Sequence, residues 1–225
     1  EARSIPYSER MLKARESLPA NLLSGKQTPG EIFAGWESAF GRDIRSARDY
    51  AEFLDKTVAG LPAGELKFLG CWVMPALTPE RSSESDIDRT IARIRDREPL
   101  SHEEIGGFCY FGMSRTLEAL RATPLRTIQV IVGAEVLPPH RSLTHWNGSF
   151  TGAIGRIAGR FEDFQFDLSS ASDLYTQDLG ILARHIPNIS LAGYWWHTFY
   201  PSYIRKSMET RLDMVPLNKV TAFFS

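Results

Sequence analysis

The sequence predicts an α/β fold, an incomplete (β/α)8 TIM-type barrel with parallel strands and a helical N-terminal part. Three observations predict it. Apolar runs of strand length alternate with amphipathic stretches of helix length, the pattern of βα units around a parallel sheet. The runs are nearly continuously apolar, as expected of strands covered on both faces. Strand starts near residues 127, 163, 189 and 219 are separated by 36, 26 and 30 residues, about one βα unit each. A doubly wound sheet would show the same alternation. No Gly-x-Gly-x-x-Gly follows any of these strands, however, so the dinucleotide-binding version lacks its fingerprint and the barrel is preferred.

One domain is expected over 1–225, a helical segment 1–62 followed by βα units over 63–225. The first helix start is Thr28-Pro29-Gly30-Glu31, which sets a hydroxyl at the N-cap, proline at the first helical position and a carboxylate at N3. A helix over 47–59 and a strand over 66–73 follow. The stretch from Thr78 to Ser85 couples proline and serine with no apolar anchor, and reads as a mobile loop or as a short ordered βα connection. After a helix over 86–96, Ser101-His102-Glu103-Glu104 repeats the capping box ahead of Ile105. Strand 127–136, helix 148–160, strand 163–168, helix 172–185, strand 189–195, helix 202–214 and strand 219–224 complete the pattern. Five strands cannot close an eight-stranded barrel, which takes about 250 residues. The chain opens without methionine and stops on the strand-like Val220-Thr221-Ala222-Phe223-Phe224-Ser225, so it is expected to be a piece of a larger barrel protein.

Composition narrows the function classes. Of 225 residues, 43% are hydrophobic and 24% charged, which excludes disordered, collagenous and coiled-coil classes. Twenty-six basic side chains against 27 acidic give a formal net charge of -1, so no bulk field draws the protein to nucleic acid or to an anionic membrane. No apolar run approaches the roughly 18 residues of a membrane span, and Glu1-Ala2-Arg3-Ser4 lacks the apolar stretch of a signal peptide. Cys71 and Cys109 lie in apolar runs and read as buried free thiols, suited to a reducing cytoplasm. The expectation is a soluble cytoplasmic protein acting on a small molecule, with Trp36, Trp72 and Tyr203 as exposed aromatics to seal a homo-oligomer interface.

In βα folds the reactive groups gather at the carboxyl ends of the strands. That rule selects Glu135, His140, Arg141, His145 and Trp146 after the 127–136 strand, Asp167, Ser169 and Ser170 after the 163–168 strand, and Trp196, His197, Tyr200 and Tyr203 after the 189–195 strand. His140 and His145 are five apart, but no His-x-His, His-Glu-x-x-His or Cys-x-x-Cys occurs, so no metal site is assigned. Arg141 offers a rigid fork for a carboxylate, or an ordinary ion pair. One indole of Trp195-Trp196 is a candidate to pack against a sugar while donating its N–H, the alternative being that both are core. His140 and His197 are candidate proton-transfer groups, though His197 could equally cap the next helix. Asp167 is a candidate base, or the cap of the helix near Ser172. No Gly-x-Ser-x-Gly supports Ser169 or Ser170 as a nucleophile.

Four segments carry a resemblance. Leu100-Ser101-His102-Glu103-Glu104-Ile105, then Ile128-Gln129-Val130-Ile131-Val132-Gly133-Ala134, Leu191-Ala192-Gly193-Tyr194-Trp195-Trp196 and Val220-Thr221-Ala222-Phe223-Phe224-Ser225 together resemble the second half of a uronate (glucuronate) isomerase, from about Asp49 onward. That family has amidohydrolase-type (β/α)8 barrels and interconverts an aldehyde uronic acid and its ketose, as in D-glucuronate to D-fructuronate, in bacterial sugar-acid breakdown. The resemblance implies substrate contact for Trp195 or Trp196, carboxylate recognition for Arg141, and a divalent metal such as zinc in the complete protein. This chain departs from the family where it matters for that metal. The family's His-x-His pair has no counterpart, Ile131 stands where the family places a histidine, the strand-end histidine expected around Leu69-Gly70-Cys71-Trp72 is absent, and the family's last-strand aspartate would follow Ser225. Two rival readings share the barrel: a metal-dependent hydrolase, and a non-catalytic sugar-binding protein, which Ile131 favours.

Overall fold

The computed structural model describes residues 29–73, 77–132, 134–137, 141–144, 149–194 and 200–221, giving for 71–73, 134–137 and 141–144 the strand path alone. Two helices lead, α1 (Pro29–Phe40) and α2 (Ala47–Ala59). Proline opens α1, and Ile32, Phe33 and Trp36 turn one stripe inward. At α2 the Ser46 side chain accepts from the Asp49 amide at 3.1 Å, satisfying one orphan donor, and Tyr50, Phe53, Leu54 and Val58 recur at helical spacing on the buried side.

Next come β1 (Leu69–Val73), a 3-10 turn (Pro79–Arg81), α3 (Glu84–Arg95) and α4 (His102–Leu120). The expected capping box closes both ways at α4: the Glu104 amide donates to Ser101 Oγ at 3.2 Å, and the Ser101 amide to Glu104 Oε2 at 2.7 Å. The 78–85 stretch is an ordered connection, because Ser82 Oγ donates to the Pro79 carbonyl at 2.6 Å and Ser83 caps α3. α1, α2 and α4 meet over an aromatic cluster in which Tyr50 stacks on Phe108 at 4.5 Å and on Trp36 at 5.8 Å between centroids. Trp36 is therefore core, not interface: it is buried because a large ring at one step of the α1 stripe fills the space above Tyr50. Each such ring contributes about 1.5–3 kcal/mol by leaving water.

The second half runs β2 (Thr127–Val132), β3 (Ala134–Leu137), β4 (Arg141–Thr144), α5 (Phe150–Arg160), β5 (Gln165–Ser170), a 3-10 turn (Asp173–Tyr175), α6 (Thr176–His185), β6 (Ile189–Tyr194), α7 (Pro201–Met214) and a 3-10 turn (Leu217–Lys219). The four strands β1, β2, β5 and β6 lie side by side in that order, all parallel. Val220 adds one parallel bridge to Leu191, and the Thr221 amide donates to the Leu191 carbonyl at 2.8 Å. Each crossover within the sheet carries a helix, as parallel pairing requires. At the amino end of β6, Asn188 Nδ2 lies within 3.1 Å of the carbonyls of Ala158, Phe161 and Phe164, tying the α5–β5 turn to the next strand.

Three expectations change. The run 127–136 is two strands, not one: β2 ends at Val132, and β3 pairs antiparallel with β4 in a separate hairpin, Leu137 opposite Arg141. The last expected strand begins as a 3-10 turn and a single bridge. The sheet is also not apolar on both faces. In β2 burial alternates, with Ile128, Val130 and Val132 enclosed while Thr127, Gln129 and Ile131 are half-buried. Register aligns those three with Gln165, Asp167 and Ser169 of β5, so one face is packed core and the other is lined largely by polar groups. Among the described residues the strands form an open parallel sheet of four, and their closure into a barrel is not observed.

Candidate functional site

The polar face of the sheet gathers a connected set of side chains. Gln129, Asp167 and Ser190 occupy one register row across β2, β5 and β6. Gln165, two residues before Asp167, donates through Nε2 to Ser190 Oγ at 3.0 Å, and Ser190 in turn donates to Asp167 Oδ1 at 2.9 Å. Gln129 supplies a second side-chain hydrogen bond to the same carboxylate. Alternation within the strands makes this set, since every second residue of a strand points the same way.

Burial pushes the Asp167 carboxyl above the usual carboxylate range, against the hydrogen bonds of Ser190 and Gln129 and the attraction of Arg211. Arg211, on α7, is enclosed and 1% exposed. It donates an Nη to the Ala192 carbonyl at 2.6 Å and lies 4.4 Å over the Tyr194 ring. Burial pushes its guanidinium down, opposed by Tyr194 and Asp167. A carboxyl held in this way keeps its proton more tightly than an exposed aspartate and is the stronger base once ionised. The surrounding amides and hydroxyl offer donors and acceptors to a polyhydroxylated ligand.

Asp167 is the one residue of the expected catalytic and substrate-binding set whose side chain is described. It neither ends its strand nor caps a helix. β5 continues through Ser169 and Ser170, placing Asp167 about 10 Å below the strand's carboxyl end at about 3.3 Å per residue, and Ser172 caps the following turn by accepting from the Leu174 amide at 3.2 Å. The strand runs on because both serines are enclosed, with Ser170 Oγ donating to the Ser172 carbonyl. Arg141 opens β4 where a loop was expected, and Glu135 lies in β3. Tyr200 precedes α7 and is 65% exposed, and Tyr203 is half-buried in its first turn. His140, His145, Trp146, Trp195, Trp196 and His197 lie outside the described residues, and so does the meeting of strand-end groups on one rim.

Sequence reasoning missed Gln129, Gln165, Ser190 and Arg211. Gln129 and Gln165 carried a signal, a polar residue at every second position inside Thr127-Ile128-Gln129-Val130 and Gln165-Phe166-Asp167-Leu168, while Ser190 stands alone in the apolar Ile189-Ser190-Leu191-Ala192-Gly193. Arg211 carried none, because Arg205, Lys206 and Arg211 look alike in a mixed helix.

A metal of the kind the resemblance implies does not fit the described residues. Ile131 stands half-buried on the polar face between Trp72 and Ser169 in register and offers no donor atom. No group of three or more His, Cys, Asp or Glu side chains gathers among the described residues. A surface groove of about 200 Å3 between α3 and the amino end of α4 is lined by charges that mostly pair, Arg93 with Glu104 at 2.6 Å and Arg89 with Asp86 at 2.8 Å. No described helix is long and apolar enough to cross a membrane.

No protein-family model matches the sequence, and no curated protein does. Solved structures do resemble the fold. A glucuronate isomerase from Caulobacter crescentus superposes with a TM-score of 0.72 at 14% identity over 92% of this chain and 45% of its own. The uronate isomerase of Thermotoga maritima gives 0.69 at 12% over 90% and 49%, and that of Bacillus halodurans 0.55 at 16% over 86% and 41%. The chain thus spans about half the length of the proteins whose fold it shares, and the likeness at these identities is one of fold.

Proposed function

We propose that this chain is part of an isomerase-like (β/α)8 barrel that interconverts the aldose and ketose forms of a hexuronic acid, with Asp167 as a proton-transfer group. The observation that carries the reading is the Gln165–Ser190–Asp167–Gln129 set on the sheet face turned away from the enclosing core. Aldose–ketose interconversion moves a proton between adjacent carbons, so it needs a base beside a carbonyl and hydrogen-bonding groups that hold several hydroxyls. Asp167, its proton affinity raised by burial, supplies the first, and Gln129, Gln165 and Ser190 supply the second. Arg141 on the substrate carboxylate, an indole of Trp195 or Trp196 on the sugar face, and His140 or His197 as a second proton carrier complete the proposal. The fold shared with uronate isomerases supports the substrate class. A cytoplasmic, bacterial setting follows from that class.

The test is proton exchange. Incubated with D-glucuronate in deuterated water, the protein is expected to build ketose carrying deuterium at C1 and to exchange deuterium into C2 of the remaining aldose, and Asp167→Asn to slow both by about 100-fold or more, the usual scale of a lost acid–base group. Absence of turnover and of exchange in the full-length protein would refute the reading. Ile131 favours a second one, sugar binding without turnover, and calorimetric binding of glucuronate with no exchange would decide for it.

A further inference from the structure

Among the described residues Arg211 is the one buried charged side chain, and Asp167 acts on it through space without contact. Its Nε is shielded from solvent and has no partner. Ser207 lies one turn earlier on the same buried side of α7, and its Oγ is likewise shielded and unpartnered. The Tyr194 hydroxyl, on the ring beneath the guanidinium, is a third such atom. A buried guanidinium with no carboxylate opposite is strongly unfavourable, and unsatisfied buried polar atoms are few in native proteins. Here Arg211 and Ser207 share one buried side of α7, and Arg211 reaches Ala192 and Tyr194 at the carboxyl end of β6, the end at which parallel sheets receive ligands. All three groups can donate: one N–H that carries charge and two O–H. The complement of such a set is an acceptor-rich anion, which charge-assisted hydrogen bonds hold more strongly than a neutral group.

We propose that Tyr194, Ser207 and Arg211 form a binding site for a small oxyanion, a carboxylate or a phosphate. A substrate carboxylate is one source, and in that case the site rests on the isomerase reading and Arg211 takes the role expected of Arg141. Free inorganic phosphate is the other, and it is independent of that reading.

The experiment is a melting and calorimetric titration of the full chain with sodium phosphate, sodium D-glucuronate and glucose, each at ionic strength matched with sodium chloride. At least one anion is expected to bind and raise the melting temperature, while glucose does neither. Arg211→Met is expected to weaken that binding about tenfold or more, the scale of a hydrogen bond to a charged group, and Tyr194→Phe and Ser207→Ala to weaken it by less. Without ligand, Arg211→Met is expected to melt at or above the wild type, because a buried charge has been replaced by an apolar chain. Response to phosphate alone assigns the free ion, and response to glucuronate alone assigns the sugar carboxylate. Binding of neither anion by the wild type, or equal binding by wild type, Arg211→Met and Tyr194→Phe, would overturn the site. Should Arg211→Met fail to fold, Tyr194→Phe, which removes a single oxygen, decides. Deuterium exchange does not enter this test, so the site and the isomerase reading fail separately.

Discussion

Gly107 is the position where the fold leaves least room. It lies in the first half of α4 against the Pro79–Arg81 turn, and an added Cβ would collide with the Arg81 carbonyl oxygen while approaching its carbon to 2.6 Å and its Cβ to 2.8 Å. Helix propensity alone would favour alanine by about 1 kcal/mol. Overpacking costs about 1–3 kcal/mol, and the atoms met are backbone and the Cβ fixed to it, which cannot swing aside as a side-chain tip does. A collision with backbone belongs at the upper end of that range, so packing wins, and after the propensity gain Gly107→Ala is expected to lose about 2 kcal/mol. At about 2–4 °C per kcal/mol for a chain of this size, the melting temperature falls by about 4–8 °C. Thermal unfolding followed by circular dichroism measures it, with Gly152→Ala in α5 as the control. There a Cβ meets nothing within 4 Å, and about 0.5–1 kcal/mol of stabilisation is expected. A Gly107→Ala protein melting at or above the wild type would refute the seating of the 79–81 turn on α4.

Further expectations concern single groups. Ser101→Ala removes half of the capping box and should cost about 1 kcal/mol in urea unfolding; no change would mean that solvent replaces the cap without loss. Burial pushes the Cys109 thiol up to about 12, so in a Cys71→Ser background a thiol reagent at mildly alkaline pH should modify it only after denaturant is added, and rapid labelling of the native protein would contradict its enclosure. Asp167 is raised in the folded state, so the unfolded chain releases its proton first and stability falls as pH climbs from the ordinary carboxylate range through the raised value. Asp167→Asn should abolish that decline, matching the wild type at low pH and exceeding it above the window. Urea titrations across pH check the sign, and a wild type that gains stability over the same window relative to the variant would reverse the argument.

Local chemistry made much of this fold readable. The helix start at Ser101 is written in hydroxyl and carboxylate placed three residues apart, and α4 stands where that cap puts it; α1 includes Pro29 as expected, and its expected cap Thr28 lies outside the described residues. The helix over 47–59 is found at those limits because Ser46 and Gly60 bracket it. The parallel order of the sheet followed from helices between strands. Less of the candidate site was legible. Asp167 was singled out for the wrong reason, as a strand end or helix cap, and its partners Gln129, Gln165 and Ser190 were hidden because they come from three strands that only pairing brings together.

The sequence by itself determined where several helices begin and where the four parallel strands of the sheet lie, because those depend on neighbours one turn or two residues away. Only the tertiary structure decided that Trp36 is core, that the 127–136 run breaks into a sheet strand and a hairpin strand, and that one face of the sheet is polar. Those outcomes depend on pairing and packing between different segments, which no local pattern reports. Arg211 is the extreme case: nothing near it in the chain distinguishes it from Arg205, yet packing against β6 strips it of water and sets it over Tyr194 beside two unpartnered hydroxyls.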